Sequence, residues 1–367
     1  MLNGESKMAG QTILFVLTKG EETSAYKVRI KYFEQALKAN GYNIVNFEIS
    51  LSGFRKYLSY FLRSPPKNLI ETAKRSDLIF TTSPILLNAI LSYKVAKKYK
   101  LPLIVDVRDI WEEYAKTAHS FLHRLGATKR IVSEYYMALD YASKILVVTK
   151  PMKQYYESIF GTNDKIVIVS NGTDVDVIKC NNTPNRKEDL VYLADLNHPY
   201  HNLEFLFATL KDSNLHLMVI GGGKYLEAIK KEAQTLRISD RVSFVGQIPY
   251  ENLASYLCKA KVGVVGRPFI NNVGYLHAIP VKTYDYLAAG LPIAGYGPKN
   301  SALEFFIKEN DIGTYVGDPN PNFLLNELAK LIAKYEGYTQ KARKIALNFD
   351  RKKLAQKVVE IVNEILG

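Results

Sequence analysis

The sequence predicts an α/β protein with two doubly wound parallel sheets. Short apolar runs rich in Val and Ile alternate with helical patterns along nearly the whole chain, which is typical of parallel strands joined by crossover helices. The chain has 367 residues, more than one hydrophobic core usually serves, so two domains are expected. Hydrophobic residues make up 47% of the chain, which is ample for two packed cores.

The order of apolar runs defines the expected elements. Strands in the first half are predicted at Thr12–Leu17, Asn43–Ile49, Leu78–Thr81, Leu103–Val107, Ile145–Val148 and Ile166–Val169, with helical patterns between them such as Tyr26–Ala39 and Leu86–Tyr99. Strands in the second half are predicted at Leu190–Leu193, His216–Ile220, Val242–Val245, Val262–Val265, Pro292–Ala294 and Gly313–Val316. In such sheets, ligands bind outside the carboxyl ends of the strands.

The polar, turn-rich stretch over residues 175–188 is the expected linker between the domains. We therefore expect a first domain over residues 1–175 and a second domain over residues 176–340. A long helical pattern fills the tail, with a break near Asn348–Asp350. Its part over residues 341–367 is expected to pack back toward the first domain.

Basic residues exceed acidic residues, and the excess is uneven. The formal net charge is +13, and residues 51–100 alone hold ten basic and two acidic side chains. Such a patch suits an anionic lipid, a nucleic acid or a phosphorylated ligand, and a solvated basic face explains it equally well. No zinc-ligand spacing or RNP-like word appears, so a nucleic acid is not an expected partner.

No apolar run approaches the roughly 20 residues that span a bilayer, so we expect no transmembrane segment. The N-terminal apolar run is short and no cleavage-like site follows it, so we expect no signal peptide. The two cysteines lack metal-ligand spacing, and so few thiols make a reducing cytosol the default compartment. We expect a cytoplasmic protein that is able to sit at the inner face of the membrane. The helical pattern Gly53–Arg63 has an apolar face with flanking cations, and this face suits either an anionic membrane or the protein's own sheet.

The segment Pro280–Pro292 combines several features of a nucleotide site. A proline fits the first turn of a helix, and the free N–H groups that follow attract anions. Lys282 adds a mobile cation there, and Asp285 lies one turn deeper, where a carboxylate accepts hydrogen bonds from vicinal hydroxyls. Phosphate plus ribose is what a nucleotide presents. An ordinary capped helix in an α/β domain explains this segment about as well.

Five short sequence motifs resemble those of the GT-B glycosyltransferases, especially glycosyltransferase family 4, and they follow one another in the family's order. They are IVDVRDIW (104–111), SNGTD (170–174), VIGGGK (219–224), RVSFVGQIPYENLASYL (241–257) and PVKTYDYLAAGLPI (280–293). The resemblance implies a GT-B fold, in which two Rossmann-like domains face a central cleft. It also implies transfer of a sugar from a nucleotide-diphosphate donor to a glycan or lipid-linked acceptor, with retention of configuration and without a bound metal or other cofactor.

The resemblance also assigns site residues. The catalytic set is Arg108, Asp109 and Lys282, and the acceptor side is His119 and Trp111. The donor-binding set is Gly20, Gly222, Gly246, Ile248, Arg267, His277, Lys282, Tyr284 and Asp285. Arg108 would steady the leaving phosphate, Asp109 would orient the sugar or receive the acceptor proton, and Ile248 would pack on the base.

The chain departs from the family pattern in two places. Of the two glutamates in the family's E-x7-E motif, the first is replaced by His277 and the second by Asp285, whose carboxylate is one methylene shorter. The segment 194–202 lacks the usual arginine and lysine that hold the donor diphosphate. Arg267 and Lys282 are the expected replacements.

Other functions remain open at this stage. A nucleotide-sugar epimerase would use the same architecture, with Asp106, Asp109 and His277 as candidate acid or base groups. A subunit that binds sugars without turnover would also be consistent with the two departures.

Overall fold

The computed structural model describes residues 10–19, 25–49, 64–83, 86–113, 127–162, 164–180, 186–197 and 201–367. The chain divides into two compact units. Unit 1 contains residues 1–170 and 352–367, and unit 2 contains residues 171–351.

Unit 1 is built on a six-stranded parallel sheet with the strand order β2-β1-β3-β4-β5-β6. Its strands are β1 (Thr12–Thr18), β2 (Asn43–Ile49), β3 (Leu78–Ser83), β4 (Leu103–Val107), β5 (Lys144–Val147) and β6 (Ile166–Ile168). Its helices are α1 (Ala25–Ala39), α2 (Lys67–Ala73), α3 (Leu86–Tyr99), α4 (Ala127–Tyr141) and α5 (Lys150–Phe160).

Unit 2 carries a second six-stranded parallel sheet with the order β12-β11-β10-β7-β8-β9, which is the Rossmann order. Its strands are β7 (Glu188–Asp195), β8 (Leu217–Gly222), β9 (Val242–Gly246), β10 (Ala260–Gly266), β11 (Ile293–Tyr296) and β12 (Gly313–Val316). Its helices are α6 (Leu203–Leu210), α7 (Leu226–Thr235), α8 (Leu253–Leu257), α9 (Val273–His277), α10 (Lys282–Ala288), α11 (Ala302–Asn310), α12 (Pro321–Ala333) and α13 (Tyr335–Ala346).

The tail breaks near the predicted place. A short 3-10 turn, Leu347–Phe349, follows α13, and α14 (Arg351–Leu366) begins after Asp350, which is extended. The apolar side chains of α14 recur at helical spacing and lie in the core of unit 1, with Val358, Val359 and Val362 fully buried. The tail therefore returns to unit 1 because one face of α14 completes that core.

All twelve predicted strands are present, and the fold is the predicted pair of α/β sheets. The boundaries differ by up to two residues. For example, β7 extends from Glu188 to Asp195, beyond the predicted Leu190–Leu193. The apolar run marks the buried middle of a strand, whereas its ladder hydrogen bonds continue through the charged residues at its ends.

The two cysteines of the chain are not free thiols. Cys180 and Cys258 form a disulfide with their Cα atoms 5.5 Å apart. Because both sulfurs are paired, the small number of cysteines does not indicate a reducing compartment for this chain. Within the described ranges, no helix is both long enough and apolar enough to cross a membrane. The amphipathic pattern Gly53–Arg63 lies outside the described residues.

Candidate functional site

The sheet of unit 2 has its topological switch point between β7 and β10. The chain runs outward from β7 through β8 and β9, then returns to β10 and continues outward on the other side. The ladder between β7 and β10 ends at Val191 and Gly263, although both strands continue. Beyond it, the Tyr286 hydroxyl accepts a hydrogen bond from the Leu193 N–H (2.7 Å) and donates one to the Val264 carbonyl (3.3 Å). The Tyr286 side chain thus takes the place of the backbone hydrogen bonds between β7 and β10. This is the edge of the sheet at which ligands of open α/β sheets bind.

Two cations lie at this switch point. The Lys282 ammonium donates a hydrogen bond to the Leu193 carbonyl and lies 4.0 Å from the centroid of the Tyr192 ring. Arg267 directly follows β10. Burial and the nearby Arg267 charge lower the pKa of Lys282 well below its ordinary value. Within the described part of the chain, Lys282 forms no ion pair with a carboxylate. Two basic side chains therefore lie close together at the switch point.

The helix that carries Lys282 starts later than predicted. α10 begins at Lys282 and has seven residues, so Pro280 precedes it. The N–H groups of Thr283 and Tyr284 donate to the carbonyls of Pro280 and Val281, at 3.0 Å in each case. These two N–H groups are not free, because 3-10-type bonds tighten the first turn. The predicted anion site on free helix amides is therefore wrong for these two N–H groups.

Asp285 is buried, with 5% of its surface exposed. Its Oδ1 atom accepts hydrogen bonds from the Thr173 hydroxyl (2.7 Å) and the Tyr250 hydroxyl (3.1 Å). Burial raises the pKa of Asp285, while the Arg351 charge and these two hydrogen bonds act in the opposite direction. Oδ2 makes no hydrogen bond to any described residue. One carboxylate oxygen therefore serves the structure, and the other is available to a ligand.

Tyr284 is a predicted donor-binding residue, but its side chain is 1% exposed and packs in the core of unit 2. Its ring centroid lies 4.9 Å from that of Phe349 and 5.8 Å from that of Phe306. Tyr284 and Asp285 are neighbours in one helix and point in different directions, so the Asp285 carboxylate meets Thr173 and Tyr250 while the Tyr284 ring packs in the core.

The remaining donor-side candidates of unit 2 follow strand ends or lie in short turns. Gly222 ends β8, and a Cβ atom there would lie 3.2 Å from the Gln247 side chain, so the turns after β8 and β9 are close. Gly246 has a φ of +83°, which favours glycine. Ile248 is partly buried against the core of unit 2. In α9, the His277 Nδ1 atom lies 2.9 Å from the Val273 carbonyl oxygen.

In unit 1, the predicted residues follow β4. Arg108 and Asp109 are partly exposed, and the Trp111 N–H donates to the Asp109 carbonyl at 3.0 Å. Burial lowers the pKa of Arg108, while the charges of Asp109 and Asp106 raise it. Gly20 and His119 lie outside the described residues.

A buried ion pair in unit 1 was missed at the level of sequence. Arg29 binds Asp106 with both ends of its guanidinium, Nη2 to Oδ1 at 2.9 Å and Nε to Oδ2 at 3.2 Å. Thr82 donates to Oδ2 at 3.2 Å, and Arg29 also donates to the carbonyls of Val169 (2.7 Å) and Ser170 (2.6 Å). Asp106 is completely buried. It is a structural carboxylate, which argues against its proposed acid–base role in an epimerase.

Two family models match the chain. The model described as "Glycosyltransferase Family 4" covers residues 14–177, and the model described as "Glycosyl transferases group 1" covers residues 177–348. The chain belongs to the GT-B glycosyltransferases of the family-4 kind. It is therefore an enzyme of glycosyl transfer, and the matches give no support to the epimerase alternative.

The fold of the glycosyltransferase is shared with solved structures of low sequence identity. Sucrose-phosphate synthase from Thermosynechococcus elongatus is 17% identical, with a TM-score of 0.76 over 97% of this chain and 99% of that one. HepE from Anabaena, in complex with UDP, is 13% identical, with a TM-score of 0.72 over 96% and 100%. WaaB, a lipopolysaccharide outer core galactosyltransferase, is 13% identical, with a TM-score of 0.65 over 96% and 99%. A search of curated proteins gives no significant match to the glycosyltransferase.

Among the described residues of the glycosyltransferase, no group of three or more His, Cys, Asp or Glu side chains is placed to hold a metal ion.

Proposed function

We propose that the glycosyltransferase moves a sugar from a nucleoside-diphosphate donor to a glycan or lipid-linked acceptor, with retention of configuration and without a bound metal. The observation that carries the proposal is the pair of cations, Lys282 and Arg267, at the switch point of the sheet in unit 2. Anionic ligands of open α/β sheets bind at such a point.

The donor diphosphate is assigned to these two cations. Arginine pairs with phosphate oxygens through two parallel N–H groups, and lysine adds a compact charge. Together they replace the arginine and lysine that residues 194–202 lack. Lys282 reaches that same strand end from α10, since its ammonium bonds the carbonyl of Leu193 in β7.

The nucleoside is assigned to the neighbouring strand ends. The Asp285 Oδ2 atom accepts from the ribose hydroxyls, and the backbone after β9, at Gly246–Ile248, faces the base. Structures of HepE in complex with UDP and with UDP-glucose support a nucleotide donor for this fold.

The chemical step is transfer with the acceptor hydroxyl attacking the face from which the diphosphate leaves. The bond from the anomeric carbon to the phosphate oxygen breaks, a bond to the acceptor oxygen forms, and the acceptor proton passes to the departing diphosphate. Lys282 and Arg267 neutralise the charge that develops on that diphosphate, so no enzymic nucleophile is required. For Arg108 and Asp109, the roles implied by the family resemblance stay predictions.

The acceptor is the less constrained half of the proposal. The excess of basic residues over 51–100 suits an anionic acceptor, such as a lipid-linked sugar phosphate, and peripheral contact with an anionic membrane.

A donor screen tests the proposal. We expect one base among UDP, GDP, ADP and CMP sugars to raise the melting temperature. Asp285→Ala should abolish this shift, whereas Asp318→Ala, an exposed carboxylate of unit 2 paired with Lys299, should retain it. With the selected donor and a panel of glycan and lipid-linked acceptors, mass spectrometry and NMR should show a transferred sugar of unchanged anomeric configuration, in the presence of EDTA. An epimer formed from donor alone, or no shift with any donor, would contradict the proposal.

A further inference from the structure

The chain passes between the two units twice, after Ser170 and after Arg351. On the unit 2 side of these passages, the two segments are bonded to each other. The Thr173 N–H donates to the Phe349 carbonyl (3.0 Å), and the Arg351 N–H donates to the Thr173 carbonyl (2.8 Å). These bonds form a parallel bridge between Thr173 and Asp350. We call residues 171–174 and 349–351 the crossing segments.

The crossing segments are also bonded to Asp285 through two hydroxyl groups. Thr173 lies within the first crossing segment and donates its hydroxyl to the Asp285 Oδ1 atom. The Tyr250 hydroxyl donates to the same oxygen and accepts a hydrogen bond from the Asp174 N–H at 3.2 Å. Tyr250 therefore contacts Asp285 on one side and the first crossing segment on the other.

The second crossing segment is attached to the same tyrosine. The Arg351 guanidinium lies 4.8 Å from the centroid of the Tyr250 ring, and its Nε atom donates to the Gly172 carbonyl at 3.0 Å. The positive charge of Arg351 also favours the ionised form of Asp285. A single side chain of α10 is thus connected to both crossing segments through neighbouring contacts.

The hydrogen bonds from Thr173 and Tyr250 occupy only one of the two carboxylate oxygens of Asp285. Both hydroxyls donate to Oδ1, so the carboxylate is held in one rotamer while Oδ2 remains without a hydrogen bond to the described residues. Fixing a carboxylate before the ligand arrives reduces the side-chain entropy that binding must overcome.

We propose that Thr173 and Tyr250 are positioning residues for donor binding, which hold Asp285 for the ribose and make the crossing segments respond to an occupied donor site. This inference rests on the proposed function, because it takes Asp285 as the ribose-binding carboxylate. A ligand that bonds Oδ2 further immobilises the carboxylate, and hence the two hydroxyls and the crossing segments bonded to them. Donor binding and the order of the crossing segments are then coupled.

Variants that delete or restore a single hydroxyl group separate this role from simple stabilisation. Tyr250→Phe keeps the ring that Arg351 covers and removes the hydroxyl, and Thr173→Val removes the other donor while Thr173→Ser restores it. The matched control is Tyr256→Phe, which removes a hydroxyl from the neighbouring helix α8. Like Tyr250, Tyr256 has a cation over its ring, since the Lys259 ammonium lies 5.0 Å from the ring centroid. The nucleoside diphosphate that stabilises the wild type serves as the probe, and calorimetry and hydrogen exchange are the readouts.

We expect Tyr250→Phe and Thr173→Val each to weaken nucleotide binding about tenfold, with a rise in donor KM larger than any fall in kcat. Thr173→Ser and Tyr256→Phe should bind as the wild type does. In the wild type, the nucleotide should slow amide exchange in residues 171–174 and 349–351, and Tyr250→Phe should lose this effect at saturating nucleotide.

The inference would be overturned if both hydroxyl-deleting variants bound the nucleotide as tightly as the wild type. It would also be overturned if bound nucleotide did not change amide exchange in the crossing segments of the wild type. Either result would leave the proposed donor site uncontradicted. Failure of the wild type to bind any nucleoside diphosphate would overturn the proposed function as well, so the two failures are distinguishable.

Discussion

Replacing Lys282 by methionine is expected to remove donor binding and, at the same time, to raise the melting temperature of the unliganded glycosyltransferase. Methionine has a similar length and no charge. If Lys282 neutralises the leaving diphosphate as we propose, its loss should lower kcat/KM by about 10²–10³-fold. Activity assays with the donor selected by the screen, together with thermal unfolding with and without that donor, measure both effects.

The gain in stability follows from the surroundings of Lys282. Lys282 is partly buried, its ammonium lies near the Arg267 charge, and it forms no ion pair with a carboxylate among the described residues. Removing a cation from such a place should stabilise unit 2 by about 1–2 kcal/mol, or roughly 2–8 °C in melting temperature. If the loss of the Lys282 ammonium stabilises the unliganded protein and weakens donor binding, then the ammonium is needed for the ligand and not for the fold.

The pH dependence gives a second readout of the same variant. The pKa of Lys282 lies below its ordinary value of 10.5 in the folded chain, so the unfolded chain binds more protons between the two values. The wild type should therefore gain stability as the pH rises through this interval, and the methionine variant should lack this component.

Lys299→Met is the matched control for Lys282→Met. Lys299 is an exposed lysine of unit 2 that pairs with Asp318 at 2.7 Å, and its loss should change stability by less than about 0.5 kcal/mol and leave donor binding unchanged. A Lys282→Met enzyme that melts at a lower temperature and still binds the donor would contradict the assignment.

The second large effect is expected in unit 1. Arg29→Met leaves the completely buried Asp106 carboxylate without its bidentate partner, and this should destabilise unit 1 by about 3–5 kcal/mol. The unfolding transition of unit 1 in urea, followed by hydrogen exchange in β4, measures the loss. The double variant with Asp106→Leu should recover much of it, because the unpaired buried charge is then gone.

Arg130→Met is the control for that experiment. Arg130 is 74% exposed and pairs with Glu134 one helical turn away, so its loss should cost less than about 0.5 kcal/mol. A loss for Arg29→Met as small as that of the control, or a double variant that is no more stable than the single one, would show that the ion pair does not have the structural role given to it.

Local pattern was sufficient for the fold but only partly sufficient for the site. In β4 and β10, for example, the buried part of the strand is an apolar run rich in Val, and such a run is visible in a single window of the sequence. Lys282 and Arg267 were also found from local context, one beside a helix start and one after a strand. Both lie at the switch point because parallel strands bring their carboxyl ends to one edge of the sheet.

The missed features depend on pairs that are distant in sequence. Asp106 bonds to Arg29, which is 77 residues away in the sequence, and Asp285 bonds to Thr173, which is 112 residues away. Cys180 and Cys258 are likewise 78 residues apart. No local signal gives such pairings, since they arise only when the sheet order is known.

Side-chain direction was the other limit. Tyr284 and Asp285 share one word of the sequence, yet one ring is buried in the core and the neighbouring carboxylate meets Thr173 and Tyr250. The late start of α10 has a different cause, which is a backbone turn. The carbonyls of Pro280 and Val281 accept the N–H groups of Thr283 and Tyr284, and the sequence does not reveal this turn.

A crystal structure of the glycosyltransferase with the nucleoside diphosphate selected by the donor screen tests the central claim most directly. We expect the diphosphate oxygens within hydrogen-bond distance of the Lys282 ammonium and the Arg267 guanidinium, and a ribose hydroxyl on the Asp285 Oδ2 atom. A nucleotide bound away from the β7–β10 switch point, with the Lys282 ammonium still on the Leu193 carbonyl, would contradict it.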